Sequence, residues 1–353
     1  MKKLLTLLMA AFYAVSLYSA EYKVTVLGDI HYDGKSYHIA EANAPHRVAE
    51  RARNIGMWES GKSREVLEAA KRMTDKNTAF VIQVGDFTQG DCDNPELQEK
   101  MFADGFDLVK GIFKDHKLLA VKGNHDVRVT SVKGFCNAPV EKVFLKRIAA
   151  ELGRDSIKGN YAVKHQGDLY IFFDSFTSEK ASLKFVRNAL KENPKFRYLF
   201  FVTHLPVIAC SAKRPIWTIP AREEIMGILT RHNAVILTAH THIPTFIQAT
   251  SPEGTLTQLV VSSMGNNWKP QAEPAVKIKN YDDFLKSIKP GWFKDKQGVK
   301  LFDELKKYQI TTYEIYNIQS GFAVLKVGDK QVTAELYFNN SGKPGSVKVL
   351  QTR

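Results

Sequence analysis

Five short stretches of the 353-residue chain carry side chains able to hold a divalent cation. They are Asp29 and His31 in GDIH, Asp86 in GDFTQGD, Asn124 and His125 in KGNHD, His204 in THLP, and His240 and His242 in AHTH. Carboxylate, amide oxygen and imidazole are ligands suited to Zn, Mn or Fe, and no thiolate stands among them. Residues two apart on an extended segment point the same way, so Asp29 with His31, and His240 with His242, can each converge on one region. Singly, each motif is a common accident of sequence. Together they come in order, each behind a β-like apolar run, and the joint pattern points to a site built at strand ends.

Such residues need strands to carry them and helices to bring the strand ends to one side. YKVTVL (22–27), FVIQV (80–84), LLAV (118–121), YLFFVTHLP (198–206) and AVILTAHTH (234–242) read as strands that run into the polar motifs. Helical spacing marks residues 63–74, 96–113, 140–153, 182–192 and 221–232. YAVKH (161–165) and LYIFFDS (169–175) add two strands, the second apolar throughout and so buried on both faces. The last hundred residues are richer in β pattern, with a hairpin at 322–338 around Gly328 and Asp329. This alternation predicts an α/β layered fold. Residues 35–60 and 266–310 break the rhythm and read as insertions into one domain spanning 21–353, either lids at the strand ends or surface excursions.

Residues 1–20 differ from the rest. Lys2 and Lys3 precede an apolar run that ends at Ser19 and Ala20, the layout of a secretory signal peptide, too short to favour a spanning helix. Export, to a periplasm or outside the cell, is the expectation, with no spanning helix in the mature chain. Lys and Arg number 50 against 37 Asp and Glu, a formal net charge of +13. That surplus suits an anionic substrate, but the basic residues are scattered and no basic and aromatic strip exists for nucleic acid. Three cysteines exclude a disulfide scaffold, and the expected pair, if one forms, is Cys92 with Cys136. Trp58, Trp217 and Trp268 are candidate pocket aromatics, and Arg128, Lys213 and Arg214 candidate contacts to a non-reacting phosphate.

As a set, the five motifs resemble those of the calcineurin-like metallophosphoesterase superfamily, over about residues 22–265. The resemblance implies a four-layer αββα sandwich of two mixed β-sheets flanked by helices, with a dinuclear metal centre at the sheets' edge. It implies that Asp29, His31 and His242 hold one ion, that Asn124, His204 and His240 hold the other, and that Asp86 bridges them. It makes His125 a substrate-facing proton donor to the leaving oxygen and Asp126 the carboxylate that orients it. Two ions about 3.5–4 Å apart can share a hydroxide for in-line attack on a phosphoester. Purple acid phosphatases, a branch of the superfamily, place a metal-binding Tyr where this chain has Gln89, which counts against that branch, while GNHDVR followed by FFDS and THLP looks more like the exported phosphodiesterase and general phosphoesterase branches. Thr203 and Ala239 stand where the family often has Gly, and neither is a ligand position. The implied substrate is an anionic phosphomonoester or phosphodiester. The competing expectation is an exported metal- or glycan-binding module of the same fold without catalysis.

Overall fold

The structure, a computed structural model, describes residues 21–38, 45–210, 219–264, 275–287 and 305–353, together with Lys300 and Asp303. The expected signal peptide lies outside the described residues, as do Lys213, Arg214, Trp217 and Trp268. Among the described residues no helix is long and apolar enough to cross a membrane.

Elements run in the order β1 (Tyr22–Leu27), α1 (Pro45–Glu59), α2 (Lys62–Met73), β2 (Thr78–Val84), α3 (Pro95–Ile112), β3 (Lys117–Val121), α4 (Leu145–Leu152), β4 (Tyr161–His165) and β5 (Asp168–Phe173). Then follow α5 (Glu179–Glu192), β6 (Leu199–Thr203), α6 (Arg222–Arg231), β7 (Val235–Thr238), β8 (Thr245–Ser251), β9 (Gly254–Val260) and β10 (Val276–Ile278). α7 (Tyr281–Ser287), β11 (Gln309–Tyr316), β12 (Gly321–Val327), β13 (Gln331–Phe338) and β14 (Ser346–Thr352) complete the chain. One sheet has the order β14-β13-β12-β1-β2-β3 and the other β10-β11-β8-β9-β7-β6-β5-β4. Both are mixed. β1, β2 and β3 run parallel in the first, and β5, β6, β7 and β9 in the second.

The pattern that makes these strands is burial on both faces. β2, β5, β6 and β7 are buried almost throughout, as continuous apolar runs require of parallel strands covered on two sides. Val24, Val26 and Ile82 of the first sheet share one apolar core with Tyr170, Phe200 and Leu237 of the second, so the sheets face each other. Leu67 and Ala70 of α2 and Phe102 of α3 join that core, while Val186 of α5 and Leu229 of α6 pack with Ile171 and Ile236 of the second sheet. Helix starts follow local rules: Asn94 accepts from the Leu97 amide at 2.9 Å ahead of Pro95, and α4 stops at Gly153 in the left-handed region.

Residues 45–59, within the stretch read as a lid or a surface excursion, form a helix. One expectation is corrected. Cys92 and Cys136 are not bonded to each other; both are free and buried, and Cys92 sits against Met101 and Tyr37 in a small apolar cluster. A thiol that packs as an apolar group needs no partner.

At the end of the sandwich remote from the five motifs, Asp168 ties the sheets together. It accepts from Arg197 Nη2 at 2.7 Å, Arg197 Nε at 2.9 Å and the Tyr22 hydroxyl at 2.6 Å. Without Asp168, Arg197 keeps only Asp329, 2.7 Å from Nη1, and the Tyr22 hydroxyl keeps only Tyr170. Asp168→Ala is therefore expected to lower unfolding stability by about 1–3 kcal/mol, read by urea denaturation.

Candidate metal centre

All five motifs lie just beyond the C-terminal ends of parallel strands: Asp29 after β1, Asp86 after β2, Asn124 after β3, His204 after β6 and His240 after β7. The first two loops continue the pairing of their strands, since the Ile30 and His31 amides donate to Asp86 O and the Tyr32 amide to Phe87 O, each at 3.0 Å. The second sheet is stitched on by Met264 N and Ser263 Oγ, which both donate to Asp29 O at 2.9 Å. Gln83 is wholly buried within β2 and turns its amide to Gly28 O and Gly85 O, so it fixes the Asp29 and Asp86 turns together.

Two groups of ligand atoms result. Asp29, His31, Asp86 and His242 bring one atom each within 4.8 Å of the others, and Asp86, His204 and His240 do the same. His31 Nε2 and His242 Nε2 face each other at 3.0 Å, and His242 Nε2 is 3.6 Å from Asp29 Oδ2. In the second group His204 Nε2 lies 3.2 Å from His240 Nδ1, 3.2 Å from Asn124 Oδ1 and 3.3 Å from Asp86 Oδ2. Asp86 Oδ2 also stands 3.8 Å from His31 Nε2, while Asp86 Oδ1 accepts from the His125 amide at 2.8 Å. One carboxylate oxygen thus serves both groups and the other is spent on the backbone. His204 Nδ1 donates to Val84 O at 3.0 Å, which leaves Nε2 as the atom with a lone pair for a cation. Converging imidazole nitrogens and two buried carboxylates, without a thiolate, fit a pair of divalent ions.

Electrostatics carry the same message. Burial alone would raise the Asp86 carboxyl, but the rings of His204, His125 and His31 hold it well below the usual carboxylate range. His204 is opposed by burial, yet Asp86 and then Asp29 push it up to about 9. Burial pulls His31 down to about 4 against Asp86 and Glu50, with Arg128 and Arg53 adding to the pull. His125 is lowered well below its ordinary value by burial and then by Arg128.

Asp126 does not orient His125. Its Oδ2 accepts from the amides of Gly123 at 2.7 Å and Phe87 at 3.1 Å, and its Oδ1 from the Thr88 amide at 2.9 Å and hydroxyl at 3.1 Å. The carboxyl is still raised to about 6, by burial and then Asp86. It clamps the Asp86 and Asn124 turns. His125 is oriented instead by Gln89 O, 2.7 Å from Nδ1.

Helix α1 supplies groups with no signal in the motifs. Asn54 Nδ2 donates to Gln89 Oε1, Trp58 Nε1 donates to His31 O at 2.8 Å, and Glu50 approaches His125 Nε2 at 3.9 Å. Trp58 therefore braces a ligand turn rather than lining a pocket. FFDS also finds a role, since Asp174 pairs with Lys122 at 2.9 Å and joins the ends of β5 and β3.

The family model described as calcineurin-like phosphoesterase matches residues 22–244, more than half of the chain. The chain belongs to the calcineurin-like phosphoesterases. No curated protein matches its sequence. Among solved structures, this calcineurin-like phosphoesterase is similar to a purple acid phosphatase from yellow lupin (Lupinus luteus) seeds, with a TM-score of 0.56 and 12% identity over 94% of this chain and 54% of that one. It spans about half the length of the lupin protein. A dimetal phosphatase from Danio rerio gives a TM-score of 0.54 and 12% identity over 94% of this chain and 99% of that one. GAP50, the anchor in the inner membrane complex of Plasmodium, gives 0.50 and 11% over 94% and 89%. At these identities the likeness is one of fold.

Metal uptake requires neutral His204. At pH 7.5 loading is expected to release protons, and apparent metal affinity to rise with pH up to about 9, as calorimetry in buffers of different ionisation enthalpy would show. A Cβ at Gly123 would collide with the Asp86 carboxylate. Gly123→Ala should accordingly lose at least one ion by elemental analysis and about 1–3 kcal/mol of stability.

Proposed function

We propose that the chain hydrolyses phosphoesters with two divalent cations, one held by Asp29, His31 and His242, the other by Asn124, His204 and His240, with Asp86 between them. The observation that carries this reading is the single Asp86 oxygen common to both ligand groups. When bound, the cations would supply positive charge to the phosphoryl oxygens and lower the pKa of attacking water.

The chain's own residues do the rest. His125 Nδ1 lies 2.7 Å from Gln89 O, which can only accept, and 2.6 Å from Arg128 Nη2, which can only donate, so the ring is held from that side and Nε2 is left toward the cleft, 4.0 Å from Asp86 Oδ2. Protonated, Nε2 can hand a proton to a leaving oxygen. The negative charge of a bound phosphoester, beside Asp86 and Glu50, favours that form at the moment it is needed. Such a donor is worth roughly 10²–10⁴ in rate. The layout of residues 1–20 supports export of the enzyme, and the surplus of basic residues supports an anionic small-molecule substrate.

A second reading is a binding module without turnover. It draws on GAP50, where a similar fold belongs to an anchor. Against it stands the ligand set, gathered here with all but His240 buried, and with Asn124 Oδ1 3.2 Å from His204 Nε2.

Metal content and turnover of p-nitrophenyl phosphate and bis(p-nitrophenyl) phosphate, measured on one metal-reconstituted sample, separate the readings. Bound metal with no turnover on a broad phosphoester panel would favour the module. Asp86→Ala is expected to lose metal and activity together. His125→Ala should keep both ions and lose about 10²–10⁴ in kcat, less on activated aryl esters than on esters with poor leaving groups. Equal losses on both ester types would remove His125 as proton donor.

A further inference from the structure

One carboxylate beside the metal ligands faces two guanidinium groups and an imidazole, and none of them lies close enough to bond it. Glu50 of α1 is 3.6 Å from Arg128 Nη2, 3.6 Å from Arg53 Nη2 and 3.9 Å from His125 Nε2. Each separation exceeds hydrogen-bond reach, so the carboxylate is attracted by the two guanidinium groups and hydrogen-bonded to neither. Asp91 behaves differently. Its side chain is 1% exposed, and it accepts from Arg128 Nη2 at 2.6 Å and Arg47 Nη1 at 3.2 Å. Asp91 therefore anchors Arg128, whose Nε is buried without a hydrogen-bond partner among the described residues.

Glu50, Asp91 and His125 also bring three metal-type ligand atoms within 4.8 Å. A third cation does not fit there, because Arg128 already stands among them, 2.6 Å from His125 Nδ1. A metal would be driven against a guanidinium. An anion would be drawn in.

The geometry fixes where that anion belongs. His125 Nδ1 lies 2.6 Å from Arg128 Nη2, while Nε2 faces both Asp86 at 4.0 Å and Glu50 at 3.9 Å, so the Glu50 position adjoins the metal ligands and reaches Arg128. A phosphoryl group bound among the metal ligands would face Nε2. A second anionic group of the same substrate would meet Arg128 where Glu50 now stands. We propose that Arg128 and Arg53 form a subsite for a second anionic group next to the scissile ester, a phosphate or a carboxylate, and that Glu50 occupies this subsite until substrate displaces it. The substrate class so defined rests on the phosphoesterase reading; the subsite itself does not.

The test uses metal-loaded full-length protein, with sulfate as the binding probe and three substrates. These are phenyl phosphate, 3-carboxyphenyl phosphate and 1,3-phenylene bisphosphate. Sulfate is expected to raise the Tm of the wild type, and the KM of the two esters that carry a second anionic group to lie below that of phenyl phosphate. Whichever gains more identifies the second group. Glu50→Gln, isosteric and uncharged, should strengthen sulfate binding and extend the KM advantage about fivefold. Arg128→Gln should erase both, with metal content unchanged. The proposal is overturned if Glu50→Gln weakens sulfate binding, or if the three esters share one KM in wild type and Glu50→Gln alike. Should none of the esters react while sulfate stabilisation still follows the expected order of variants, the phosphoesterase reading fails and the anion subsite stands.

Discussion

Asp86 carries a carboxylate to a depth where burial alone would neutralise it, and three imidazoles keep it ionised. Much of the surrounding structure answers to that demand. The turn that presents Asp86 is held by Gln83 from within β2, by Asp126 through the amides of Phe87 and Thr88, and by its own pairing with the Asp29 turn. Glycine at 123 leaves room for the carboxylate to approach. On the opposite side His204, carried by the other sheet, is pushed up to about 9 against its burial by Asp86 and then Asp29. The two sheets thus meet at this edge through buried carboxylates and imidazoles of the kind that hold cations.

The strand framework was legible because parallel strands buried on both faces have to be apolar without interruption, so a sudden Asp, Asn or His marks where each one stops. The motifs followed from those stops. α1 was not legible, for a physical reason. Arg51 and Asn54 are its buried positions and Trp58 is half-buried, a helical spacing written mostly in polar side chains because the surface they cover is itself polar. A search for apolar periodicity passes over such a helix. Asp126 misled through adjacency. It follows His125 directly in the chain, but its carboxylate turns back to the Gly123 and Phe87 amides while the ring faces Gln89 and the cleft. The disulfide expectation failed because cysteine count and compartment say nothing about whether two thiols meet.

Function in this molecule is divided between the framework and the inserted helix. The strand ends supply every candidate metal ligand, and their placement follows from layer packing. α1 adds Glu50 and Asn54 from outside that framework and brings them against His125 and Gln89. The inserted helix thus packs on a rigid set of strand ends, as segments added to a scaffold commonly do.

His31, Asp86, His240 and His242 all take φ between 45° and 67°, the left-handed region that non-glycine residues occupy at a cost of about 1–3 kcal/mol each. The fold holds them there for the sake of their side chains. It follows that the ligand turns work against the conformational preferences of their own backbone, and that glycine at any one of them would suit the local geometry better than the residue present. Selection for thermal robustness alone would erode this centre. A lineage released from the need for turnover would drift toward a sturdier, inert scaffold, giving up activity to gain stability.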